Sequence, residues 1–214
     1  MWNTAILNFC QKDVLSLKTI AAWCCIAGGF LWGMKPLYDW LVLDRTINTG
    51  YLASDVTDYV KFAFPLLCLG GIFVLFVLYK KSVVKSVVIL AAAIISNGLF
   101  HFFEIYAPNS AIPFGLLFMF SGTVLLLIGA FVLVRELKDR QEVPRTLFQS
   151  AQALFTATLL FCIFPFVSGL LSDAAATPVL VVLMMAVGWI WAGIGIVLLK
   201  EVRKESAGEK SAVV

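Results

Sequence analysis

Uncharged, strongly hydrophobic runs alternate with short charged segments along the whole chain. Six runs contain no charged residue, and they cover residues 19–34, 62–79, 86–100, 105–134, 146–172 and 174–199. A helix needs about 20 mostly apolar residues to cross the hydrocarbon core of a bilayer. The pattern therefore predicts an all-α, polytopic membrane protein with six transmembrane helices.

Composition leaves little room for any other kind of domain. Of 214 residues, 61% are hydrophobic and 14% are charged, so a soluble domain of ordinary size does not fit beside the six spans. We expect one transmembrane domain over residues 18–204. Residues 1–17 lack the features of a cleaved targeting segment and precede this domain as an interfacial helix or as an ordinary lead-in. Residues 205–214 follow it as a disordered cytoplasmic tail.

Basic residues are distributed unevenly between the two sides of the predicted bundle. Of the 16 lysines and arginines, 13 fall on the side that also holds both termini, and only Lys35, Arg45 and Lys61 fall on the other side. Lysine and arginine concentrate in the cytoplasmic loops of membrane proteins. The distribution predicts a multi-pass protein of the cell (plasma) membrane whose N-terminus and C-terminus are both cytoplasmic.

Two prolines and two charged segments recur at the same distance along the chain. Pro113 and Pro178 are 65 positions apart, and so are the segments 135–138 and 200–203, which read Arg-Glu-Leu-Lys and Lys-Glu-Val-Arg. A unit of two spans returns the chain to the same side of the membrane, so copies of such a unit must be parallel. We predict three parallel two-helix hairpin repeats related by rotation about the membrane normal, with a three-plus-three inverted arrangement as the alternative.

A short string near the end of the fifth run supports a family resemblance. Residues 164–169 read Phe-Pro-Phe-Val-Ser-Gly and lead into a predicted outer turn. With this string, and with three parallel hairpins whose second helices carry glycines, the chain resembles the six-span short-repeat membrane family typified by the acid-resistance protein HdeD. The resemblance covers about the last two hairpins, and the first hairpin departs from it in its charged end and its long acidic loop. It implies a hairpin-repeat fold and carries over no catalytic residues.

Three polar residues lie along one face of the third predicted span. Asn97, His101 and Glu104 stand at i, i+4 and i+7, so they share one face of a helix. Ionisable groups within a membrane are costly and tend to mark functional sites, and a histidine titrates near neutral pH. The spacing favours a ligand or proton site that faces the bundle interior. The alternative is a set of hydrogen bonds that hold neighbouring helices together.

Lys35 and Asp39 stand one helical turn apart near the outer end of the first predicted span. Together with Tyr38 and Trp40 they are typical of a membrane surface, where an aromatic belt, a snorkelling lysine and a local ion pair occur together. The alternative is that Lys35 and Asp39 face Glu104 across an outer vestibule. Both residues are therefore further candidates for a ligand or proton site.

Motifs for catalysis, cofactor binding and phosphate binding are not found in the sequence. His101 is the one histidine, and with Glu104 and Asp39 it supplies too few ligands for a zinc site, which usually needs about four. The five cysteines lie outside the predicted outer loops, where a structural disulfide would form. We expect no metal, no cofactor and no enzymatic activity.

Three classes of function fit a chain of this kind. The first is an envelope, accessory or regulatory membrane component that acts through the bilayer, through a homo-oligomer or through a membrane protein partner. Nucleic acid is not expected, because the basic residues lie in short loops rather than on one folded face. The second class is a small-solute transporter or membrane substrate-binding subunit with its site in the outer half of the bundle. The third is an intramembrane enzyme that uses His101 and Glu104 as acid and base.

Overall fold

The computed structural model describes residues 2–41, 61–106, 112–138, 140–170 and 172–212. Within these ranges it describes side chains from position 14 to position 207, except those at 81, 104, 105, 112, 113, 173 and 174. The regular secondary structure of the described residues is entirely helical. Its elements are α1 (Trp2–Leu41), α2 (Ala63–Leu67), α3 (Leu69–Tyr106), α4 (Ile112–Leu137), α5 (Arg145–Ser168) and α6 (Asp173–Ala212).

Six segments of these helices are long and apolar enough to cross a membrane, as the hydrophobic pattern predicts. They are named here span 1 (Val14–Leu41), span 2 (Ala63–Lys80), span 3 (Ser82–Phe103), span 4 (Phe114–Leu137), span 5 (Arg145–Ser168) and span 6 (Ala175–Ala207). The ends of the bundle at Leu41 and at Val14 are called the predicted outer end and the predicted inner end.

Both terminal helices are longer than the sequence predicts. Helix α1 runs without interruption from Trp2 into span 1, so residues 2–17 continue the first transmembrane helix. Helix α6 continues through Ala212, so the tail predicted to be disordered is helical to that residue. The Lys18 ammonium group donates to both Glu205 carboxylate oxygens, at 2.9 and 2.8 Å, and so joins the inner ends of spans 1 and 6.

Helix α3 is broken at a single residue near the junction of spans 2 and 3. Tyr79 has φ −125° and ψ 24°, and the helix resumes immediately beyond it. The break allows the two spans to fold back on each other. The ring of Phe62, just before span 2, lies 6.0 Å from the ring of Phe102 near the outer end of span 3. Spans 2 and 3 therefore form an antiparallel hairpin.

The six spans form a closed ring in chain order, because each packs against its neighbours in sequence and span 6 packs against span 1. The interfaces between spans 1 and 6 and between spans 3 and 4 are both extensive. Both depend on small residues. A Cβ atom added at Gly188 would lie 2.3 Å from the Gly33 backbone nitrogen, and one added at Gly122 would lie 3.2 Å from the Ala93 carbonyl oxygen. Close backbone approach of this kind stabilises helix pairs in membranes.

A hydrophobic core fills the half of the bundle nearer the predicted inner end. Its largest side chain is Trp191, and other core side chains from spans 2 to 6 are also almost completely inaccessible to solvent, among them Leu75, Val83, Leu90, Leu133, Leu137, Leu147, Leu154 and Leu198. Buried protein cores are close-packed and contain few voids. The bundle is therefore closed at the predicted inner end.

Candidate functional site

A cavity of about 190 Å³ lies between the hydrophobic core and the predicted outer end of the bundle. Side chains from all six spans line it. The lining residues extend from the end that the charge distribution places outside to about the middle of the spans. The cavity thus occupies the outer half of the bundle, directly above the packed core.

The floor of the cavity is mostly apolar. Trp32, Asn97, Leu126, Thr158 and Val187 are the lining residues that lie deepest along their spans. Thr158 is completely buried, and its hydroxyl group donates to the Leu154 carbonyl oxygen at 2.8 Å. The hydroxyl oxygen of Thr158 keeps an acceptor lone pair, but with no exposed surface it does not face the open space of the cavity.

The mouth of the cavity, at the predicted outer end, carries most of its charge. Its residues are Asp39, Trp40, Lys61, His101 and Thr177. Lys61 is only 5% exposed, which is unusual for a lysine. Asp39, Lys61, His101 and Thr177 each make an interaction within the protein. Charged side chains thus line the cavity instead of extending to the protein surface.

Lys35 and Asp39 form an ion pair in the cavity wall. The Lys35 ammonium group donates to the Asp39 carboxylate one helical turn away, and the two side chains are only 8% and 15% exposed. The Lys35 nitrogen also lies 5.8 Å from the centre of the Tyr38 ring. The sequence favours a membrane-surface pair here, whereas the structure buries both groups and places them on the cavity.

The polar stripe of span 3 is placed on the cavity at the positions whose side chains are described. Asn97 and His101 both line it. The Asn97 amide nitrogen donates to the Ala93 carbonyl oxygen at 2.9 Å, and the ring of His101 lies 4.9 Å from that of Phe100. The side chain of Glu104, the third member of the stripe, lies outside the described residues.

The structure brings further polar residues to the cavity that sequence analysis does not single out as a site: Lys61, Thr123, Thr158 and Thr177. The Thr123 hydroxyl group donates to the Met119 carbonyl oxygen at 2.8 Å, so its oxygen also remains an acceptor. Lys61 stands directly before an uncharged run, and in sequence it reads as a loop residue. The sequence feature that could have identified Lys61 as a site residue is its position at the outer end of a helix, which it shares with Lys35.

Metal and redox chemistry receive no support from the described residues. Within the described ranges no three histidine, cysteine or acidic side chains come together in a way that could hold a metal ion. The four cysteines whose side chains are described are all free thiols. The cavity combines charged groups at its mouth with apolar walls beneath them, an arrangement typical of a binding pocket for a small molecule. Comparison of the chain with protein-family models, curated proteins and solved structures gave no match.

Proposed function

We propose that this protein binds a small organic solute in the cavity and carries it across the plasma membrane, with both termini in the cytoplasm. The observation that supports the proposal is the cavity itself, which is lined by all six spans and has buried charged groups at its mouth. Intramembrane charges are costly and are typical of solute pathways. An accessory component that acts through its outer surface has no need of such a cavity.

The positive-inside distribution supports the orientation of the proposed carrier. Of 16 basic residues, 13 fall on the side of the termini, which places the cavity toward the outside and the packed core toward the cytoplasm. A carrier needs a central site that is closed on one side of the membrane at a time. A cavity above a tightly packed core fits the state in which the inner side is closed.

The cavity volume limits the size of the solute. An engineered apolar cavity of about 150 Å³ accommodates benzene, and the cavity in this bundle measures about 190 Å³. The volume suits a solute of roughly ten non-hydrogen atoms. Monocyclic compounds are therefore suitable probes for the site.

Binding of such a probe is expected to raise the thermal stability of the detergent-solubilised protein. A ligand at about 100 times its Kd stabilises the folded state by about 2.7 kcal/mol, which corresponds to a rise in Tm of roughly 5–10 °C for a chain of this length. Benzoate, benzamide and benzylamine form a size-matched panel for this measurement. Leu180→Trp, on the cavity wall, should abolish the rise because the larger ring fills the space.

Val182→Trp is the matched control for this variant. Val182 stands two positions from Leu180 on the same span and is 59% exposed on the outside of the bundle, so the control should respond to the panel as the wild type does. If no member of the panel raises the Tm of the wild type, or if Leu180→Trp responds equally, the proposed solute site is wrong.

Replacement of His101 or Glu104 by glutamine is expected to abolish solute binding and transport while leaving folded, membrane-inserted protein. His101 lines the cavity, and an imidazole can donate or accept a hydrogen bond, so its removal should weaken the hold on a guest. Gln152→Ala, at an exposed position of span 5, is the control. Equal loss of folded protein and of binding in both variants would reject a working site at these residues.

A further inference from the structure

We propose that the solute is a small uncharged organic molecule, with an apolar body against the cavity walls and a hydrogen-bond-donating group against the Asn97 amide oxygen. This inference rests on the proposed function, and it specifies the chemical class of the solute for the same site. Three features support it: the composition of the walls, the pairing of the charged groups at the mouth, and the acceptor that Asn97 retains.

The walls between the mouth and the floor are formed by uncharged side chains. Aromatic and methionine residues are prominent among them: Trp32, Phe100, Met119, Phe161 and Met184. Each of these positions lies in one of the six uncharged runs of the sequence, and these runs form the middle of the six spans. The composition of the walls is therefore independent of the charged residues in the loops. An ionised group placed against such walls loses its hydration at a large cost in free energy.

The charged groups at the mouth are engaged by interactions within the protein. Lys35 donates to Asp39, and Lys61 and His101 each make an interaction of their own. An ionised guest would have to share or displace these interactions, and loss of one partner of a buried pair is strongly destabilising. An uncharged guest leaves all of them in place.

Asn97 retains a hydrogen-bond acceptor at the floor of the cavity. Its amide nitrogen donates to the Ala93 carbonyl oxygen at 2.9 Å and lies 2.7 Å from the position of a Cβ atom added at Gly122. The nitrogen is thus packed between spans 3 and 4. In the described part of the chain the Asn97 oxygen accepts no hydrogen bond, and the buried side-chain atom without a partner there is the Trp191 indole nitrogen. The Asn97 oxygen is therefore accessible.

The matching group on a guest is a neutral hydrogen-bond donor. A carbonyl oxygen accepts from an N–H or O–H group, and Asn97 lines the cavity. The Thr123 hydroxyl hydrogen is used within its own helix, so its oxygen also matches a donor on the guest. A monocyclic alcohol or amide, with one such donor on an apolar ring, is the class of solute that fits.

Three compounds with the same ring test the preference for an uncharged guest. Benzoate, benzamide and benzylamine carry a negative, a neutral and a positive group at neutral pH. We expect benzamide to bind the detergent-solubilised, full-length protein at least about ten times more tightly than either ion, because the apolar walls do not solvate a charge. The dependence of Tm on compound concentration measures the three dissociation constants.

Benzyl alcohol and anisole test the donor at Asn97. The two compounds are isomers with one ring and one oxygen, and only benzyl alcohol carries an O–H donor. Benzyl alcohol should bind the wild type about five times more tightly than anisole, the usual net effect of one hydrogen bond. In Asn97→Leu, which removes the acceptor, this preference should disappear. The preference is compared between two proteins in one detergent, so uptake of the compounds by the detergent cancels.

Ser96→Ala is the control for the loss of a polar group on span 3. Ser96 stands next to Asn97 and is 8% exposed. Its hydroxyl group lies 3.0 Å from that of Ser121, and it is not among the described residues that line the cavity. This variant should keep the preference of the wild type for benzyl alcohol. The comparison of benzamide with the two ions needs no variant, so the test remains decisive even if Asn97→Leu does not fold.

The outcomes separate the two proposals. Tighter binding of benzoate or benzylamine than of benzamide, abolished by Leu180→Trp, would overturn the uncharged assignment and leave the solute site standing. Equal binding of benzyl alcohol and anisole to the wild type, or an unchanged preference in Asn97→Leu, would overturn the role given to Asn97. A wild type that responds to none of the five compounds would overturn the solute site, and the uncharged assignment with it.

Discussion

Replacement of Gly188 by alanine is expected to destabilise the bundle by at least about 3 kcal/mol, the upper range for overpacking a well-packed site. An added Cβ atom would lie 2.3 Å from the Gly33 backbone nitrogen, 2.6 Å from the Gly33 Cα atom and 2.7 Å from the Gly29 carbonyl oxygen. These are backbone atoms, which cannot move aside as a flexible side chain can. Relief requires spans 1 and 6 to separate along an extensive interface.

Gly193→Ala is the matched control for Gly188→Ala. Gly193 lies on the same helix, and a Cβ atom added there meets nothing within 4 Å. Alanine favours the helix over glycine by about 1 kcal/mol, so the control should be neutral or slightly stabilising. Thermal unfolding in detergent and the yield of monodisperse protein measure both effects. Equal Tm values for the two variants would mean that spans 1 and 6 do not approach as closely as described.

Trp191→Ala is expected to destabilise the protein by about 3–5 kcal/mol, the usual cost of removing a large aromatic ring from a core. Trp191 is 1% exposed and lies in the core below the cavity floor. Its indole nitrogen has no hydrogen-bond partner among the described residues. Because a buried donor without a partner itself costs about 1–3 kcal/mol, Trp191→Phe should cost much less than Trp191→Ala.

Trp23→Ala is the control for the loss of a tryptophan as such. Trp23 is 52% exposed on the outside of span 1, so its removal leaves no internal void and should lower the Tm far less. The three variants can be compared by thermal unfolding in one detergent. A Trp191→Ala protein as stable as Trp23→Ala would contradict the packed core that closes the inner half of the bundle.

The six spans could be predicted from sequence because length and hydropathy alone decide whether a helix can cross a membrane. The order of the spans around the ring could not, since it depends on where backbones approach, as at Gly29, Gly33 and Gly188. The lengths of the first and last helices could not be predicted either. The polar composition of residues 205–212 favours disorder, whereas the pairing of Glu205 with Lys18 anchors the helix there.

The three-hairpin repeat stays a prediction. Glu136 and Glu201 occupy equivalent positions in the proposed copies, yet their contacts differ. Glu136 accepts a hydrogen bond from the Ser86 backbone nitrogen at 3.2 Å, and Glu201 accepts one from Lys204 at 2.6 Å. Similar sequence at these two positions is thus compatible with different local packing, so their recurrence alone does not determine the symmetry of the bundle.

The candidate site could be predicted in part. Polar groups within a membrane cost free energy, and for this reason the sequence analysis chose Asn97, His101, Lys35 and Asp39 as candidates. All four line the cavity. The threonines could not be recognised, because a hydroxyl group that bonds its own helix is tolerated on any face. Lys61 was read as a loop residue because charge patterns give the side of the membrane and not the direction in which a side chain points.

Modification of a cysteine in the cavity wall tests the central claim most directly. In a background in which the five native cysteines are replaced, Thr123→Cys lies at a half-buried position that lines the cavity, and Ala130→Cys lies two turns deeper on the same span, in the packed core. A small membrane-impermeant thiol reagent is added to intact cells, and the rate of modification is measured at each position. The account predicts that position 123 reacts from outside, more slowly when a compound that raises the Tm is present, and that position 130 does not react. Equal rates at both positions, or reaction of position 123 only after permeabilisation, would contradict a solute cavity that faces outward above a closed core.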